Sequence, residues 1–372
     1  MKTVIFDVDG VLLSEKRYFD VSALTVWEWY GSPSFMNLGQ EDVHPDVTDE
    51  EIDALRDRIW LHDDILVWLK QHGVNSNWDM THAHIVTGLW LLLEQYRADG
   101  HALQDLTLRT MDDVRALGRQ LQGYAVPDAA AVMEKLQAAV PDGAGKDEVF
   151  AYLTAAIADS LGIDASWSAL SSPLWTLHFE AFQEWYFGDD LYAQTYGKKP
   201  YAPGKDGFLR REVPLGTAGG IRTMFQELKR RGYTLAVATG RSYMEMAVPF
   251  KAYHWDEEFD PLHVATYTDV EEASKKLGVS LDKPHPFAYY AGAFGRYPER
   301  YADYVSRPDD FKEGTYYIVG DSLADIWCAK AMGAVMIGTL TGLDGKAARP
   351  MFEAEQAEYI VDSVEDILNI LQ

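Results

Sequence analysis

Hydrophobic and polar positions follow two different rules along this chain. Val4-Ile5-Phe6 is a short apolar run that stops at Asp7-Val8-Asp9-Gly10, the pattern of a buried strand running into a turn that carries two carboxylates. From about Tyr18 to Phe187 the apolar residues recur at helical spacing, as in Glu51-Ile52-Asp53-Ala54-Leu55-Arg56 and in the Trp90 to Leu93 stretch leading into Glu94-Gln95-Tyr96. Strand-like alternation is scarce there. Nine of the 11 Trp residues fall between Trp27 and Trp185, which gives this helical region an aromatic-rich core of its own. Tyr201-Ala202-Pro203-Gly204-Lys205-Asp206-Gly207 is dense in turn formers and reads as a hinge or domain exit.

Beyond that segment helices and strands alternate. Ala218 to Arg231 is helix-like, Gly232 stops it, and Tyr233 to Ala238 is a strand. Leu262 to Ala265 is a weaker strand, followed by a short helical pattern from Val270 to Leu277. Tyr316 to Val319 and Ala334 to Ile337 are further strands, separated by a helix from Ala324 to Met332, and Val364 to Leu371 forms a closing helix. Such alternation specifies a parallel sheet with right-handed crossovers. The lone N-terminal strand has no other sheet to join. The fold class is therefore α/β, a Rossmann-like parallel core made of residues 1–14 and 205–372, with a mainly α-helical domain inserted over 15–204.

Composition narrows the functional classes. The 372 residues carry 33 Lys and Arg against 58 Asp and Glu, a net charge of −25 that repels nucleic acid and anionic membranes. The longest apolar stretch, Ile85 to Leu93, is interrupted by Thr87 and Gly88, short of the ~20 residues a membrane span needs. Asp7 and Asp9 come too early for a secretory signal peptide, and the single Cys328 excludes an intramolecular disulfide framework. These features point to the cytoplasm. Nothing in the sequence speaks to oligomeric state.

In an open α/β sheet, ligands sit beyond the carboxyl ends of the strands. Those ends carry Asp7-Val8-Asp9, then Thr239-Gly240-Arg241-Ser242, then Gly320-Asp321-Ser322-Leu323-Ala324-Asp325, with Lys283-Pro284-His285-Pro286 ahead of a helical stretch. Asp7 and Asp9, two apart, would point to one side if strand geometry persisted. Four carboxylates in one mouth repel each other, and a divalent cation relieves that repulsion. Oxygen-only ligation with water and a phosphate is characteristic of Mg²⁺. Phosphoryl transfer needs a nucleophile, a proton donor for the leaving oxygen, and donors or cations on the phosphoryl oxygens. The residue types present match that list.

With these motifs in this order, the sequence resembles the haloacid dehalogenase superfamily. Asp7-Val8-Asp9-Gly10-Val11 looks like its first motif, Thr239 its second, Lys283 its third, and Gly320-Asp321 with Asp325 its fourth. The long insertion after the first motif is similar to the cap domain of members capped at that point, though longer than is usual there. The resemblance implies that Asp7 attacks phosphorus to give an aspartyl-phosphate. Asp9 protonates the leaving alkoxide and later activates water, Thr239 hydrogen-bonds a phosphoryl oxygen, and Lys283 neutralises shared charge. Mg²⁺ is then held by the Asp7 and Asp321 carboxylates and the Asp9 carbonyl, with Asp325 either a ligand through water or an orienting acid. An acid at the Asp9 position favours hydrolysis of a small phosphorylated metabolite. Transfer to a sugar, as in a phosphomutase, is the alternative with the same intermediate, and a protein-interaction module with little turnover is a third.

Several residues keep two readings. Gly240 and Arg241 directly follow the second motif, and Arg241 is either a contact for an anionic substrate or a partner in a surface salt bridge. Tyr18, Phe19 and Asp20 follow the first motif and are candidates to face the substrate, with core packing as the competing role for the aromatics. His62-Asp63 lacks the further ligands a metal centre needs. His82 and His84, two apart on a helix, do not share a face and are expected at the surface or half-buried. Cys328 is expected to be a buried, inert thiol.

Overall fold

The structure, a computed structural model, describes residues 2–39, 42–103, 106–311 and 313–372. The chain divides into two units, one formed by Met1–Lys16 with Leu209–Gln372 and the other by Arg17–Phe208.

The first unit is built on six strands, β1 (Lys2–Phe6), β2 (Thr234–Ala238), β3 (Val264–Ala265), β4 (Thr315–Gly320), β5 (Val335–Thr339) and β6 (Tyr359–Val361), in the order β3-β2-β1-β4-β5-β6. Every neighbouring pair is parallel, and Phe6 lies in register between Val237 and Val319. Period-two alternation fixes that register. Ile5, Ala236 and Ile318 belong to one buried cluster with Tyr289 of the helix Phe287–Phe294 and Ile326 of Leu323–Met332. Val4, Phe6, Leu235, Val237 and Val319 belong to another, with Ile221 and Phe225 of Ala218–Arg230. A slip of one residue would exchange the two sets, and full burial of a side chain such as Phe6 contributes about 2 kcal/mol. From β1 the chain builds β2 and β3 on one side, then returns to build β4, β5 and β6 on the other. This reversal beside β1 places a crevice at the carboxyl ends of β1 and β4.

Three expectations about the core change. Pro261–His263 is a 3-10 turn, started by Pro261 and capped by the Asp260 side chain, so β3 keeps only Val264 and Ala265. The three-residue edge strand β6 is too short to stand out as a pattern. The closing helix is instead a 3-10 segment, Val364–Asn369, begun by a Ser363–Asp366 capping box.

The second unit is helical, with long helices at Lys16–Gly31, Asn77–Ala98, Lys146–Leu161 and Pro173–Phe187. Ser76 and Ser172 cap two of them through the backbone N–H groups of Asp79 and Trp175. This unit runs past the turn-rich segment: its limits are Arg17 and Phe208, later than the 15 and 204 expected. The reason is electrostatic. The Lys205 ammonium is buried between Glu28 at 2.9 Å and Glu184 at 3.3 Å, and Glu184 also accepts from the backbone of Tyr201 and Ala202. The segment that looks like an exit is thus tied into the helical core.

Tyr18, Phe19 and Asp20 also belong to that core. Tyr18 stacks on Tyr186 with ring centroids 4.7 Å apart, Phe19 lies under Arg56 and Lys70, and Asp20 is fully buried between Arg17 and Arg56. These contacts match the packing role that competes with substrate contact for the two aromatics. His82 and His84 are buried rather than superficial, because each ring finds a backbone carbonyl, Ser168 O at 2.9 Å and Ile59 O at 3.0 Å. His62 is exposed, and Asp63 is held by the Arg56 fork. No helix among the described residues is long and apolar enough to cross a membrane.

Burial pushes the His84 imidazole down to about 4, against about 6.5 in an unfolded chain. Between those values the unfolded chain binds a proton that the folded chain does not. Stability from this group is therefore complete above about pH 6.5 and falls as the pH drops towards 4, by up to about 3 kcal/mol. Glu28, raised to about 7 mainly by burial, slopes the other way, so the comparison must be between variants. Urea unfolding at a series of pH values should show a flatter acid slope for His84→Gln than for the wild type; equal slopes would contradict this.

Candidate active site

Asp7 directly follows β1, and its backbone N–H still donates to Val319 O at 2.9 Å, so sheet pairing fixes where its side chain starts. One carboxylate oxygen accepts from the Val8 N–H at 2.8 Å, and the other meets Lys283 Nζ at 2.7 Å. Lys283 stands in the turn ahead of the helix Phe287–Phe294, where the His285 N–H donates to Asp282 O and the His285 ring accepts from the Phe287 N–H. The same ammonium reaches Asp325 Oδ1 at 2.9 Å.

Asp325 is wholly buried and fully engaged. Its Oδ2 accepts from the backbone N–H groups of Asp321 and Ser322 and from the Ser322 hydroxyl; its Oδ1 accepts from Lys283 and from the Tyr289 hydroxyl at 2.6 Å. Part of this arrangement is a capping box, with Ser322 the N-cap of Leu323–Met332. Asp321, between β4 and that cap, lies against two glycines. A methyl group on Gly10 or on Gly342 would stand 2.0 Å from Asp321 Oδ2, and Gly10 has φ +70° besides. Asp7, Asp321 and Asp325 each offer a carboxylate oxygen within 4.8 Å of the others, the one such acid group among the described residues.

Asp9 goes elsewhere. Strand geometry ends at Phe6, so the spacing of two no longer fixes a common direction, although the Asp9 charge still reaches Asp7 and helps to raise it. Asp9 Oδ1 accepts from Arg241 Nε at 2.9 Å and Nη2 at 2.6 Å. Arg241, expected either at a substrate or in a surface pair, has a fully buried side chain and also pairs with the buried Glu212 at 3.2 Å. Thr239 follows β2, donates its N–H to Ala265 O, and accepts the Arg241 N–H on its hydroxyl at 3.1 Å. Gly240 is exposed, with open space beside it.

Burial dominates the electrostatics. It pushes the Asp7 carboxyl up to about 7, opposed by Lys283 and reinforced by Asp325. It works against the Lys283 ammonium, but Asp325 and Asp7 outweigh it and lift the lysine above its usual range. Asp325 is lowered despite burial, because Lys283 and hydrogen bonds from Tyr289 and Ser322 hold the ionised form. Burial raises the Cys328 thiol to about 12, and its Sγ contacts Pro284 O, so it is inert. Two members of these networks were missed from the sequence. Tyr289 sits on a helix whose position was legible, but nothing marks its hydroxyl as aimed at Asp325. Glu212 is remote in sequence from both Asp9 and Arg241, and no local pattern could have found it.

Comparison with known proteins places this geometry. Residues 281–367 match the HAD-hydrolase-like family model, HAD standing for haloacid dehalogenase. A phosphoglycolate phosphatase from Pasteurella multocida is 25% identical over 152 residues, which span 41% of this chain and 56% of that protein. Among solved structures, the X-ray structure of a structural genomics consortium target is 34% identical and superposes with a TM-score of 0.85, covering 100% of this chain and 98% of that one. A HAD-superfamily hydrolase from Geobacter sulfurreducens is 14% identical with a TM-score of 0.41, covering 100% of this chain and 97% of its own, too remote to bear on this chain. The family match takes in Lys283, Asp321 and Asp325, Asp7 and Thr239 arrive beside them on neighbouring strands, and the same fold recurs along a full-length relative: the chain belongs to the haloacid dehalogenase superfamily of hydrolases.

Proposed function

We infer that this protein is a Mg²⁺-dependent phosphatase of a small phosphorylated metabolite, acting through an aspartyl-phosphate on Asp7. The observation that carries the reading is the Lys283 ammonium shared by Asp7 and Asp325 beside the glycine-seated Asp321. A carboxylate placed to act as nucleophile, a fixed cation and a group of oxygen donors thereby meet at the strand ends, where this fold binds ligands. The Pasteurella relative makes 2-phosphoglycolate a natural first substrate to try. The single cysteine is consistent with the cytoplasm.

The donor set fits a hard divalent cation. Three carboxylates face one ammonium, all ligand atoms are oxygen, and the seat of Asp321 is shaped by two glycines. Asp7, Asp321 and the main-chain carbonyl of Asp9 would hold Mg²⁺, which supplies positive charge to offset that of the phosphoryl oxygens. Five donors already occupy Asp325, which suits it to orienting Lys283 and the Asp321 backbone. An Asp7 oxygen attacks phosphorus while Asp9 protonates the departing alkoxide, so that the ester P–O bond breaks as the aspartyl P–O bond forms. Thr239, whose hydroxyl oxygen accepts from Arg241 N–H, retains its proton for a phosphoryl oxygen. Lys283 neutralises charge passing between Asp7 and the phosphoryl group. Asp9 then takes a proton from the water that releases phosphate.

Purified protein should release phosphate from a panel of small phosphate esters only with Mg²⁺ present, and chelation should abolish the release. Labelled oxygen from solvent water should appear in the phosphate; sugar-phosphate interconversion without release would favour a mutase instead. Gly342→Ala should raise the Mg²⁺ concentration for half-maximal activity about 10–100-fold, because the new methyl displaces Asp321. An unchanged Mg²⁺ dependence would remove Asp321 from the cation site.

Lys283→Met leaves the buried acids Asp7 and Asp325 without their shared cation, and should destabilise the fold by about 3 kcal/mol or more in urea unfolding. Adding Asp325→Asn should restore part of the loss. Wild-type stability in Lys283→Met would mean that the ammonium does not balance these charges.

A further inference from the structure

Arg241 was read as a possible substrate contact, but all five N–H groups of its guanidinium are engaged. Nε and one N–H of Nη2 go to Asp9 Oδ1, the other Nη2 N–H goes to Glu212 Oε2 at 3.4 Å, and Nη1 serves Glu212 Oε1 at 3.2 Å and the Glu245 carbonyl at 3.3 Å. No donor is left for a phosphate, and the side chain has no exposed surface. The two ends of this ion-pair chain differ. Glu212 is completely buried, whereas the Asp9 side chain is 27% exposed. A purely internal strut would bury both of its acids. This one is anchored at Glu212, just after the chain re-enters the core at Leu209, and presents its other end to solvent at the strand tips. Both bonds to Asp9 fall on Oδ1, so the guanidinium pins that oxygen and leaves Oδ2 outside its fork.

Resting on the phosphatase reading above, we propose that Arg241, anchored by Glu212, is the positioning residue for the acid–base group Asp9, holding its Oδ2 where the ester oxygen departs. The proton on Oδ2 passes to the alkoxide as the P–O bond to the leaving group breaks and the bond from Asp7 to phosphorus forms. The same oxygen later takes a proton from the attacking water. Arg241 touches neither substrate nor reacting atoms; it acts through the orientation of Asp9. Its planar fork spans two carboxylates at once, which a lysine cannot do.

Leaving-group dependence separates this role from simple structural support. Protonation of the leaving oxygen matters most for alkyl phosphates and least for 2,4-dinitrophenyl phosphate, whose phenolate departs unaided. The quantity to measure is kcat/KM, which reports steps through leaving-group departure, across an alkyl-to-dinitrophenyl series with saturating Mg²⁺. Arg241→Gln should lose on the order of 10²-fold on alkyl phosphates, and at least about tenfold less on the dinitrophenyl ester. Arg241→Lys should fall between Arg241→Gln and wild type. Arg241→Gln strands the buried Glu212, so the double variant Arg241→Gln/Glu212→Gln, which leaves no unpaired buried carboxylate, should be measured beside it and should show the same steepened dependence. An equal loss on every ester, in either variant, overturns the positioning role and leaves the phosphatase reading standing. A wild type inert towards the whole series overturns that reading and this assignment with it.

Discussion

Too much negative charge is gathered at one end of a parallel sheet, and the chemistry of the core follows from how that charge is balanced. Asp7, Asp9, Glu212, Asp321 and Asp325 lie there with two cations among them. Each cation is divided between a buried acid and a more accessible one. Lys283 joins the fully buried Asp325 to Asp7, and Arg241 joins the fully buried Glu212 to Asp9. The buried acid anchors the cation and the cation aims the outer acid. Asp321 is seated by glycines instead. Asp7, Asp321 and Asp325 together form an all-oxygen group of the kind that suits a hard divalent cation.

Much of the core could be read in the sequence because its signals are local. The apolar runs at Val4–Phe6, Tyr233–Ala238, Tyr316–Val319 and Ala334–Ile337 all became strands, since a strand buried on both faces needs consecutive apolar residues. The ends of those strands carried Asp7, Thr239 and Asp321, so the motifs could be assigned to one edge. The signals that failed were non-local. The direction of Arg241 depends on Glu212, and the orientation of Asp325 depends on Tyr289. His82 and His84 are internal, each with one ring nitrogen on a distant carbonyl, a contact that nothing in their own turn of helix foretells.

The helical unit shows the same lesson in its boundary. Pro203, Gly204 and Gly207 are turn formers, and a composition-based reading ends the insertion among them. Lys205 overrides that reading by meeting Glu28 and Glu184 within the helical core, with Trp185 donating to Glu28 and lying under the ammonium. A buried cation between two buried acids is costly to break once formed, so it holds the returning segment to the helices until Phe208. Tyr18, Phe19 and Asp20 are likewise held by partners in their own unit.

The central claim is that Asp7 itself carries the phosphoryl group during turnover. The most direct measurement is a rapid acid quench of the Mg²⁺-loaded enzyme mixed with a phosphate ester it turns over, followed by peptide mapping by mass spectrometry. The account expects an acyl phosphate on the peptide containing Asp7, labile to hydroxylamine and absent from Asp7→Asn. A phosphoryl group found on another residue, or turnover that persists undiminished in Asp7→Asn, would contradict it.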